Sequence, residues 1–448
     1  MSADVAVVGA GAAGLRAATV AALAGLSTVL VDSYERSGGQ YYRQPVSTPH
    51  LPSRTQVEGR RLVDAAYTAG VELRNSTSVW DATVSPDGGV TLRLTSGDRL
   101  STLECRALVV ATGAHERVVP FPGWTLPGVY TAGAVQALHK AHGVAVGQRV
   151  LFAGTGPLLL VAAAGTRAVE VLEASRLAQA GARHPLATAA GLWRQGERLR
   201  EGLGSAWRLR RAGTPLRTGW GIVRALGDDR VEGAVVARLD ADWRPVRGSE
   251  RALVCDAIAT HYSLVPDTDL LRLLGAAMEH RPELGGWVPS RGPLMATSVP
   301  GVFAAGDCTG IGGAGLSLVE GELAGHGAVR HVTGREPRRL PLTALRRERR
   351  FQRLYGALFT PRPGLAVLAR PDTVVCRCEE VTRGSVDAAM TAGARTVSSV
   401  KAVTRCGMGP CQGRICLPAV AQLTAAGPPP EARAPLVPVP FEAVASCG

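Results

Sequence analysis

The chain alternates short apolar runs with alanine- and leucine-rich stretches, and glycines mark the changes between them. Residues 4–8 have the pattern of a buried parallel strand, residues 15–26 that of a helix, and residues 27–32 that of a second strand. The same order of strand, glycines, helix and strand returns at residues 148–173. It predicts an α/β fold with two Rossmann-like dinucleotide-binding units.

A Gly-x-Gly-x-x-Gly sequence stands between the first two predicted strands. Gly9 permits a tight turn, Gly11 lets the backbone approach a pyrophosphate, and Gly14 allows the helix to pack closely on the strand. Asp32, at the end of the second strand, is placed to accept hydrogen bonds from a ribose. Because a whole βαβ unit surrounds them, we predict that these four residues bind a dinucleotide. A glycine-rich turn without a ligand is the alternative.

The second unit carries Gly154-Thr-Gly156 and ends in Glu173, but Leu159 stands where a third glycine is expected. From the first glycine to the acidic residue it spans 19 positions, against 23 in the first unit. We therefore expect a shorter helix and an altered pocket. Gly154, Gly156 and Glu173 are candidates for binding NAD(P) or another nucleotide. A purely structural second unit is the alternative.

Five of the nine cysteines lie between residues 376 and 416. Cys376 and Cys378 are separated from Cys406 and Cys411 by 27 residues, with glycines and a proline beside the second pair and Cys416 in reserve as a further ligand. Tight turns of this kind leave room for thiolates to converge on a metal. Four thiolates suit a zinc ion as well as a [2Fe–2S] cluster, and an empty site is a third alternative. The Cys-x-Cys pair before a glycine loop favours the cluster.

The amino-acid composition indicates a globular protein of several domains and argues against disorder and nucleic-acid binding. A chain of 448 residues predicts two or three domains, and 46% hydrophobic residues with 54 glycines argue against disorder. Only 4% of the residues are aromatic, and the net charge of +13 is spread along the chain, which argues against nucleic-acid binding. No run of about 18 apolar residues is free of glycine, proline and charge. We expect a cytoplasmic protein with reduced thiols and no transmembrane segment, in which any membrane association runs through a complex.

Three segments resemble those of the two-dinucleotide-binding-domain flavoproteins, the glutathione-reductase-like superfamily. They are Gly38-Gly39-Gln40-Tyr-Tyr-Arg43, Val109-Val-Ala-Thr112-Gly113 and Gly301-Val-Phe-Ala-Ala-Gly306-Asp307. The resemblance implies that these segments contact FAD, with Asp307 on the ribityl chain and the helix start in residues 310–320 capping the flavin. A helix cap is the alternative role for Asp307. No two cysteines lie two or four positions apart in the first 350 residues, so we do not predict dithiol–disulfide exchange.

The cysteine region resembles the bacterioferritin-associated-ferredoxin-like domain, in the form found in opine oxidase A subunits and hydrogen cyanide synthase B subunits. Residues 376–382, 400–416 and 111–129 carry this resemblance. It implies that Cys376, Cys378, Cys406 and Cys411 ligate a [2Fe–2S] cluster and that Cys416 packs in the core. The predicted domains are FAD-binding 1–120 with 285–335, an inserted NAD(P)-type domain 121–284, a linker 336–370, a small helical [2Fe–2S] domain 371–425 and a tail 426–448.

The resemblance implies an electron-transferring subunit of a heteromeric FAD-dependent amine or amino-acid dehydrogenase, of the opine oxidase, hydrogen cyanide synthase or proline/sarcosine dehydrogenase type. A D-amino-acid-oxidase-like flavoprotein subunit would hold the amine, and a small ferredoxin-like subunit is a second candidate partner. No base, nucleophile or substrate-binding arginine stands out, and we regard His115 and His261 as structural, so no catalytic residue is assigned. The alternatives are a self-sufficient NAD(P)H-dependent flavin reductase and a structural subunit of the same complex.

Overall fold

The computed structural model describes residues 1–46, 53–86, 88–176, 185–192, 195–424 and 431–440. Its described residues form two compact units. The first contains Met1–His115, Val265–Gln352 and part of the stretch after Glu431, and the second contains Glu116–Leu264 and most of Arg353–Pro430. The first glycine turn therefore lies in one unit, and the second glycine turn and the clustered cysteines lie in the other.

The regular elements of the described residues include alternating strands and helices and two longer runs of consecutive strands. The strands are β1 (Ser2–Val8), β2 (Thr28–Val31), β3 (Glu72–Arg74), β4 (Ser78–Val84), β5 (Val90–Ser96), β6 (Arg99–Val110), β7 (Ala114–Glu116), β8 (Val129–Thr131), β9 (Val150–Thr155), β10 (Ala168–Glu173), β11 (Leu216–Thr218), β12 (Trp220–Leu226), β13 (Gly233–Arg238), β14 (Arg251–Val254), β15 (Ala257–Tyr262), β16 (Leu264–Pro266), β17 (Met278–Arg281), β18 (Gly286–Pro289), β19 (Val302–Ala304), β20 (Val374–Cys376) and β21 (Val381–Thr382). The helices are α1 (Ala12–Leu23), α2 (Arg54–Thr68), α3 (Ala132–His142), α4 (Pro157–Ala163), α5 (Pro185–Leu192), α6 (Gly196–Arg211), α7 (Asp269–Leu273), α8 (Gly313–Thr333), α9 (Leu342–Phe359), α10 (Arg383–Thr391), α11 (Val397–Thr404) and α12 (Leu417–Thr424).

The main sheet of the first unit has the strand order β3-β2-β1-β6-β5-β4, and β19 also pairs with β6. Strands β3, β2, β1, β6 and β19 pair in parallel, whereas β5 and β4 are antiparallel. The carboxyl ends of parallel strands share one edge of a sheet, which is where ligands bind in open α/β folds. The first glycine turn, Asp32, Thr112 and Gly306 follow β1, β2, β6 and β19, so all of them come to that edge.

Helices α1 and α8 pack closely against each other on one face of this sheet. A Cβ added to Gly321 of α8 would lie 2.2 Å from the Ala13 carbonyl oxygen, and one added to Gly325 would lie 2.8 Å from the Ala17 carbonyl oxygen. Buried alanine and leucine side chains of both helices fill the remaining core. This close packing of backbones fixes the start of α8 beside the first glycine turn.

The second unit contains the predicted second Rossmann-like fold, in which β11-β10-β9-β15-β8 form a parallel sheet. Strands β12, β13 and β14 form an antiparallel sheet. Helix α4 has 7 residues where α1 has 12, so the expected shortening is confirmed. Leu159 is fully buried in the core beneath α4, where Gly14 leaves no room for a side chain in the first unit.

The cysteine module of the second unit consists of the β20–β21 hairpin and helices α10, α11 and α12. These three helices agree with the small helical domain predicted from the sequence. In the stretch predicted as a linker lie α9 and a 3₁₀ turn, Pro363–Val367. Leu365 and Leu368 of this region belong to the same buried core as strands β9, β12 and β13. The predicted tail 426–448 is described only at residues 431–440.

Candidate functional site

The first glycine turn connects β1 to α1 with no room for side chains. A Cβ added to Gly9, whose φ is +104°, would lie 2.3 Å from the Ala111 carbonyl oxygen. One added to Gly14 would lie 1.8 Å from the Gly9 carbonyl oxygen. Gly11 precedes α1 and offers no side chain to cap it, which leaves the first N–H groups of the helix for an anion. This geometry fits the pyrophosphate of a dinucleotide.

Asp32 joins the end of β2 to this turn. Its Oδ2 accepts a hydrogen bond from the Ala10 N–H at 2.5 Å, and its Oδ1 accepts one from the Tyr34 N–H at 2.7 Å. Burial raises the pKa of Asp32 despite these two hydrogen bonds. A carboxylate can accept about four hydrogen bonds, so Asp32 retains capacity for the predicted ribose contact.

The segment after Asp32 forms a small polar network next to the turn. Gly39 approaches Gly11 so closely that a Cβ added to it would lie 2.9 Å from the Gly11 Cα. Gln40 donates through Nε2 to the Tyr34 hydroxyl at 2.7 Å, and Arg43 donates through Nη2 to Gln40 Oε1 at 2.8 Å. The Arg43 guanidinium also lies 4.7 Å from the centre of the Tyr34 ring. Sequence reasoning missed Tyr34, because its position in a loop carries no periodic signal.

Thr112 and Gly113 follow β6 at the same edge of the sheet. The Thr112 hydroxyl donates to the Asp267 carbonyl oxygen at 2.7 Å, and the Asp267 N–H donates to the Gly113 carbonyl oxygen at 2.9 Å. These two hydrogen bonds fix the backbone just beyond the strand. The structure thus brings Thr112 and Gly113 to the edge that carries the first glycine turn.

Gly306 and Asp307 form the turn between β19 and α8. Gly306 has a φ of +82°, and a Cβ added to it would lie 2.9 Å from the Ala13 Cβ, so the turn lies against α1. Asp307 Oδ1 accepts hydrogen bonds from the Gly312 and Gly313 N–H groups at 3.0 and 3.1 Å. Burial raises the pKa of Asp307. One carboxylate oxygen thus caps the start of α8, and within the described part of the chain Oδ2 accepts no hydrogen bond, which suits a ligand hydroxyl.

A buried ion pair behind this turn was not predicted from the sequence. Glu320, only 1% exposed, accepts hydrogen bonds through Oε2 from the Gly306 N–H at 3.1 Å and from the Thr309 hydroxyl at 3.0 Å. Its Oε1 lies 2.8 Å from Arg291 Nη1. The sequence feature that could have indicated this ion pair is a glutamate on the buried, glycine-rich face of α8. Glu320 therefore holds the turn that presents Asp307.

The second glycine turn is closed by the side chains around it. Glu173, 1% exposed, accepts a hydrogen bond from the Gly156 N–H at 2.9 Å. It also accepts hydrogen bonds from the Thr155 hydroxyl at 2.7 Å and the Ser175 N–H at 2.8 Å. Burial raises the pKa of Glu173 against these bonds. The structure brings the predicted residues Gly154, Gly156 and Glu173 together but encloses the Glu173 carboxylate, which was a candidate for nucleotide binding.

His261 ends β15 beside the second turn, and a Cβ added to Gly154 would lie 1.8 Å from its carbonyl oxygen. The ring is 1% exposed, and Nδ1 lies 2.7 Å from Glu116 Oε1. The other Glu116 oxygen accepts a hydrogen bond from the Gly133 N–H at 2.9 Å. The Glu116 side chain, 13% exposed, thus holds the imidazole in one orientation, and a structural role stays the prediction for His261.

Five thiols converge in the cysteine module. The sulfur atoms of Cys376, Cys406 and Cys416, all three buried, lie within 4.8 Å of one another. Cys411 is hydrogen-bonded to Cys416 and to Cys378, and Cys378 is exposed. Gathered thiols of this kind fit a metal centre with four thiolate ligands.

Hydrogen bonds among these thiols shift their pKa values. The Cys416 thiol, with the N–H groups of Ile415 and Gly413, lowers the pKa of Cys411 to about 5 despite partial burial. A hydrogen bond with Cys416 also lowers the pKa of Cys406. The hydrogen bonds with Cys406 and Cys411 raise the pKa of Cys416 itself. Cys416 is buried, as expected for a packing residue, yet its thiol lies among the candidate ligands. The structure therefore offers five thiols for four positions.

The loops that carry these cysteines are tied to one another. A Cβ added to Gly409 would lie 2.3 Å from the Cys378 Cβ, so only glycine lets the two loops approach. Arg405 ends α11 with a φ of +65°, and its Nε donates to Glu379 Oε2 at 2.9 Å. Contacts between protein groups thus hold both cysteine loops in one arrangement.

No helix in the described part of the chain has the length and apolar character needed to cross a membrane. Residues 3–332 match the family model described as Pyridine nucleotide-disulphide oxidoreductase. The chain belongs to this family. Residues 374–426 match the BFD-like [2Fe-2S] binding domain. Its cofactors are therefore FAD, for which the first glycine turn fits, and a [2Fe–2S] cluster, for which the thiols fit.

Two relatives match over nearly the whole chain. The HcnB subunit of hydrogen cyanide synthase from Pseudomonas aeruginosa is 36% identical over 430 residues, covering 92% of this chain and 90% of that protein. The A subunit of opine oxidase from Rhizobium meliloti is 38% identical over 429 residues, with the same coverage of 92% and 90%. The resemblance predicted from the motifs is confirmed, and the chain is an oxidoreductase.

Solved structures agree on the fold. L-proline dehydrogenase from P. horikoshii aligns with a TM-score of 0.73 at 20% identity, covering 99% of this chain and 79% of that one. Thioredoxin reductase from T. acidophilum aligns with a TM-score of 0.55 at 20% identity, covering 73% of this chain and 97% of that one. The α/β fold with Rossmann-like units is confirmed by these alignments.

Proposed function

We propose that this protein is the electron-transferring flavin and iron–sulfur subunit of a heteromeric dehydrogenase that oxidises an amine or amino acid. The observation that carries the proposal is that a flavin-type glycine turn and a converging set of five thiols occur in one chain. The chain also lacks the closely spaced cysteine pair in its first 350 residues that a disulfide reductase needs. Relatives matched over 92% of the chain are named as subunits of hydrogen cyanide synthase and opine oxidase.

In this proposal a partner flavoprotein subunit of the D-amino-acid-oxidase type holds the amine. A flavin accepts an electron pair and an iron–sulfur cluster carries single electrons, so the two cofactors together convert pair transfer into single-electron transfer. The chain's own part is to hold both cofactors. No catalytic residue is assigned, because proton removal from the amine belongs to the partner. A small ferredoxin-like subunit is proposed as a second partner.

The residues proposed to hold FAD share the edge of the first unit's sheet. Asp32 would accept from the ribose and Asp307 Oδ2 from the ribityl chain, as their remaining acceptor capacity allows. The other proposed contacts are Gly9, Gly11, Gly14, Gly39, Gln40, Arg43, Thr112, Gly113 and Gly306. We propose Cys376, Cys378, Cys406 and Cys411 as cluster ligands, with Cys416 as a fifth thiol able to replace one of them. Because cluster ligands must stay reduced, we also propose the cytoplasm as the compartment of this protein.

Expressing the chain with and without an adjacent amino-acid-oxidase-like gene tests whether it works only as part of a complex. We expect the isolated chain to contain FAD and a [2Fe–2S] cluster but to reduce no dye with opines, glycine, proline or sarcosine. The co-purified complex should show amine-dependent dye reduction and bleach the flavin of this chain. Full amine dehydrogenase turnover by the isolated chain would overturn the proposal.

A self-sufficient NAD(P)H-dependent flavin reductase is the second candidate, favoured by the glycine turn at Gly154 and Gly156. The enclosure of Glu173 and the short α4 weigh against it. Stoichiometric NADH or NADPH added to the oxidised chain without oxygen distinguishes the two. Flavin bleaching within seconds would favour the reductase, whereas an unchanged spectrum would favour the subunit of a dehydrogenase complex.

A further inference from the structure

The turn formed by residues 121–126 contacts the hairpin that carries Cys376, and both belong to the second unit. The indole N–H of Trp124 donates to the Val374 carbonyl oxygen at 2.6 Å. Val374 lies two positions before Cys376 on β20. On the other side of that cysteine, Arg377 Nη2 donates to the Thr125 carbonyl oxygen at 3.4 Å. One short turn therefore bonds to the Val374 backbone before a candidate cluster cysteine and to the Arg377 side chain after it.

The turn itself is fixed to the core of the second unit. The Trp124 side chain is only 7% exposed and packs in the core that contains strands β9, β12 and β13. The Ala225 N–H of β12 donates to the Pro122 carbonyl oxygen at 2.9 Å. Gly123 lies so close to this strand that an added Cβ would be 2.8 Å from the Ala225 carbonyl oxygen. The turn that carries the Trp124 indole is therefore fixed to strand β12 and to the core.

The second cysteine loop rests on the same core. Ile415, next to Cys416, is partly buried and packs against the core cluster to which Trp124 belongs. Leu365 and Leu368, from the stretch before the module, are buried in that core as well. Both loops that supply thiols are thus attached to the body of the second nucleotide-binding fold.

We propose that Trp124, assisted by Arg377, is a positioning residue for the [2Fe–2S] cluster. Its indole N–H fixes the backbone of the first cysteine loop to the core of strands β9, β12 and β13. A residue that fixes the backbone beside a metal ligand controls how readily that ligand moves away, and with it the retention and spectrum of the cluster. The inference rests on the cluster assignment and is independent of the proposed amine dehydrogenase reaction.

Trp124→Phe tests this on the full-length chain with its cofactors bound. Phenylalanine keeps an aromatic ring in the core but removes the N–H donor, so the Val374 carbonyl loses its partner. Loss of such a hydrogen bond corresponds to about a tenfold faster release of iron to a ferrous chelator. Trp243→Phe is the matched control, because Trp243 is 5% exposed and lies in the same core. We expect its release rate to equal that of the unaltered chain.

The visible circular dichroism and EPR spectra of the cluster report on the surroundings of its iron ligands and not on the stability of the fold. We expect both spectra to change in Trp124→Phe and not in Trp243→Phe, with the FAD content of both at the unaltered level. Equal iron release and unchanged spectra in Trp124→Phe would overturn the inference.

If Trp124→Phe does not fold, Arg377→Ala carries the test, because Arg377 is exposed and its loss leaves the core intact. Its bond to Thr125 is long, so about a twofold faster release is expected. An unchanged release rate in Arg377→Ala would then count against the inference. Absence of any cluster from the unaltered chain would instead refute the cluster assignment itself.

Discussion

Replacing Glu320 by glutamine removes the charge that holds Arg291 and the Gly306–Asp307 turn. The two side chains are 1% and 13% exposed, so the guanidinium is left with little water to replace its partner. Breaking a buried ion pair from one side costs about 3–5 kcal/mol. Glutamine keeps an oxygen for the Gly306 N–H and the Thr309 hydroxyl, so we expect the low end, about 3 kcal/mol. A looser turn presents Asp307 less well, which should weaken FAD binding about tenfold.

Glu322→Gln is the matched control on the same helix. Glu322 also pairs with an arginine, Arg16, at 2.6 Å, but its side chain is 26% exposed and that of Arg16 is 40% exposed. Such a pair contributes about 0.5 kcal/mol, and its loss should leave FAD binding unchanged. Urea unfolding followed by flavin fluorescence measures the stability, and titration of the apoprotein with FAD measures the affinity. Equal losses in the two variants would refute the reasoning that burial makes Glu320 the important carboxylate.

The remaining predictions concern the two glycine turns and the fifth thiol. Gly14→Ala should abolish FAD binding, measured by the flavin absorbance of the purified protein. Gly202→Ala is the control, because an added Cβ on α6 meets open space there. This variant should keep FAD and gain about 0.5–1 kcal/mol of stability. Cys406→Ser and Cys416→Ser should each retain iron, because five thiols are available for four ligand positions. Only the double variant should lose its iron. Complete loss of iron from one single variant would show that this residue alone is the fourth ligand. Glu173→Gln should lower the melting temperature without changing the dissociation constant for NADH, and a weakened NADH affinity would show that its carboxylate does contact a nucleotide.

The fold was predictable because its signals are local. A buried strand, a glycine turn, a helix and a second strand follow one another within about 30 residues, and short-range sterics decide each part. The shortening of α4 could be read in the same way, from the four positions missing before Glu173. Gly306 and Asp307 were found because residues 301–307 resemble a flavoprotein motif at the end of a strand.

The residues that sequence reasoning missed depend on contacts between distant parts of the chain. Glu320 acquires its role only because Arg291 and the Gly306 turn come to it in the folded unit. Trp124 lies 250 positions from the carbonyl group to which it donates. Cys416 has the spacing of a residue one helical turn past Cys411, and that spacing says nothing about where its sulfur points. Periodicity describes elements, and these three roles arise between elements.

The two glycine turns differ in a way that bears on how electrons enter the protein. Asp32 holds its turn through two backbone N–H groups and keeps capacity for further hydrogen bonds. Glu173 is bonded to the Gly156 N–H, the Thr155 hydroxyl and the Ser175 N–H and is nearly inaccessible, so a nicotinamide ribose would find little of it to bind.

What the second unit does support is the cysteine module, whose two thiol loops rest on its core. We propose that this Rossmann-like fold, whose Glu173 carboxylate is enclosed and whose core carries the cysteine loops, is a scaffold for the [2Fe–2S] cluster and not a site of hydride transfer. We propose instead that electrons enter this chain from a partner protein. NADH oxidation that continues unchanged in a variant lacking the cluster would contradict this account, because it would require a working hydride site in the second unit.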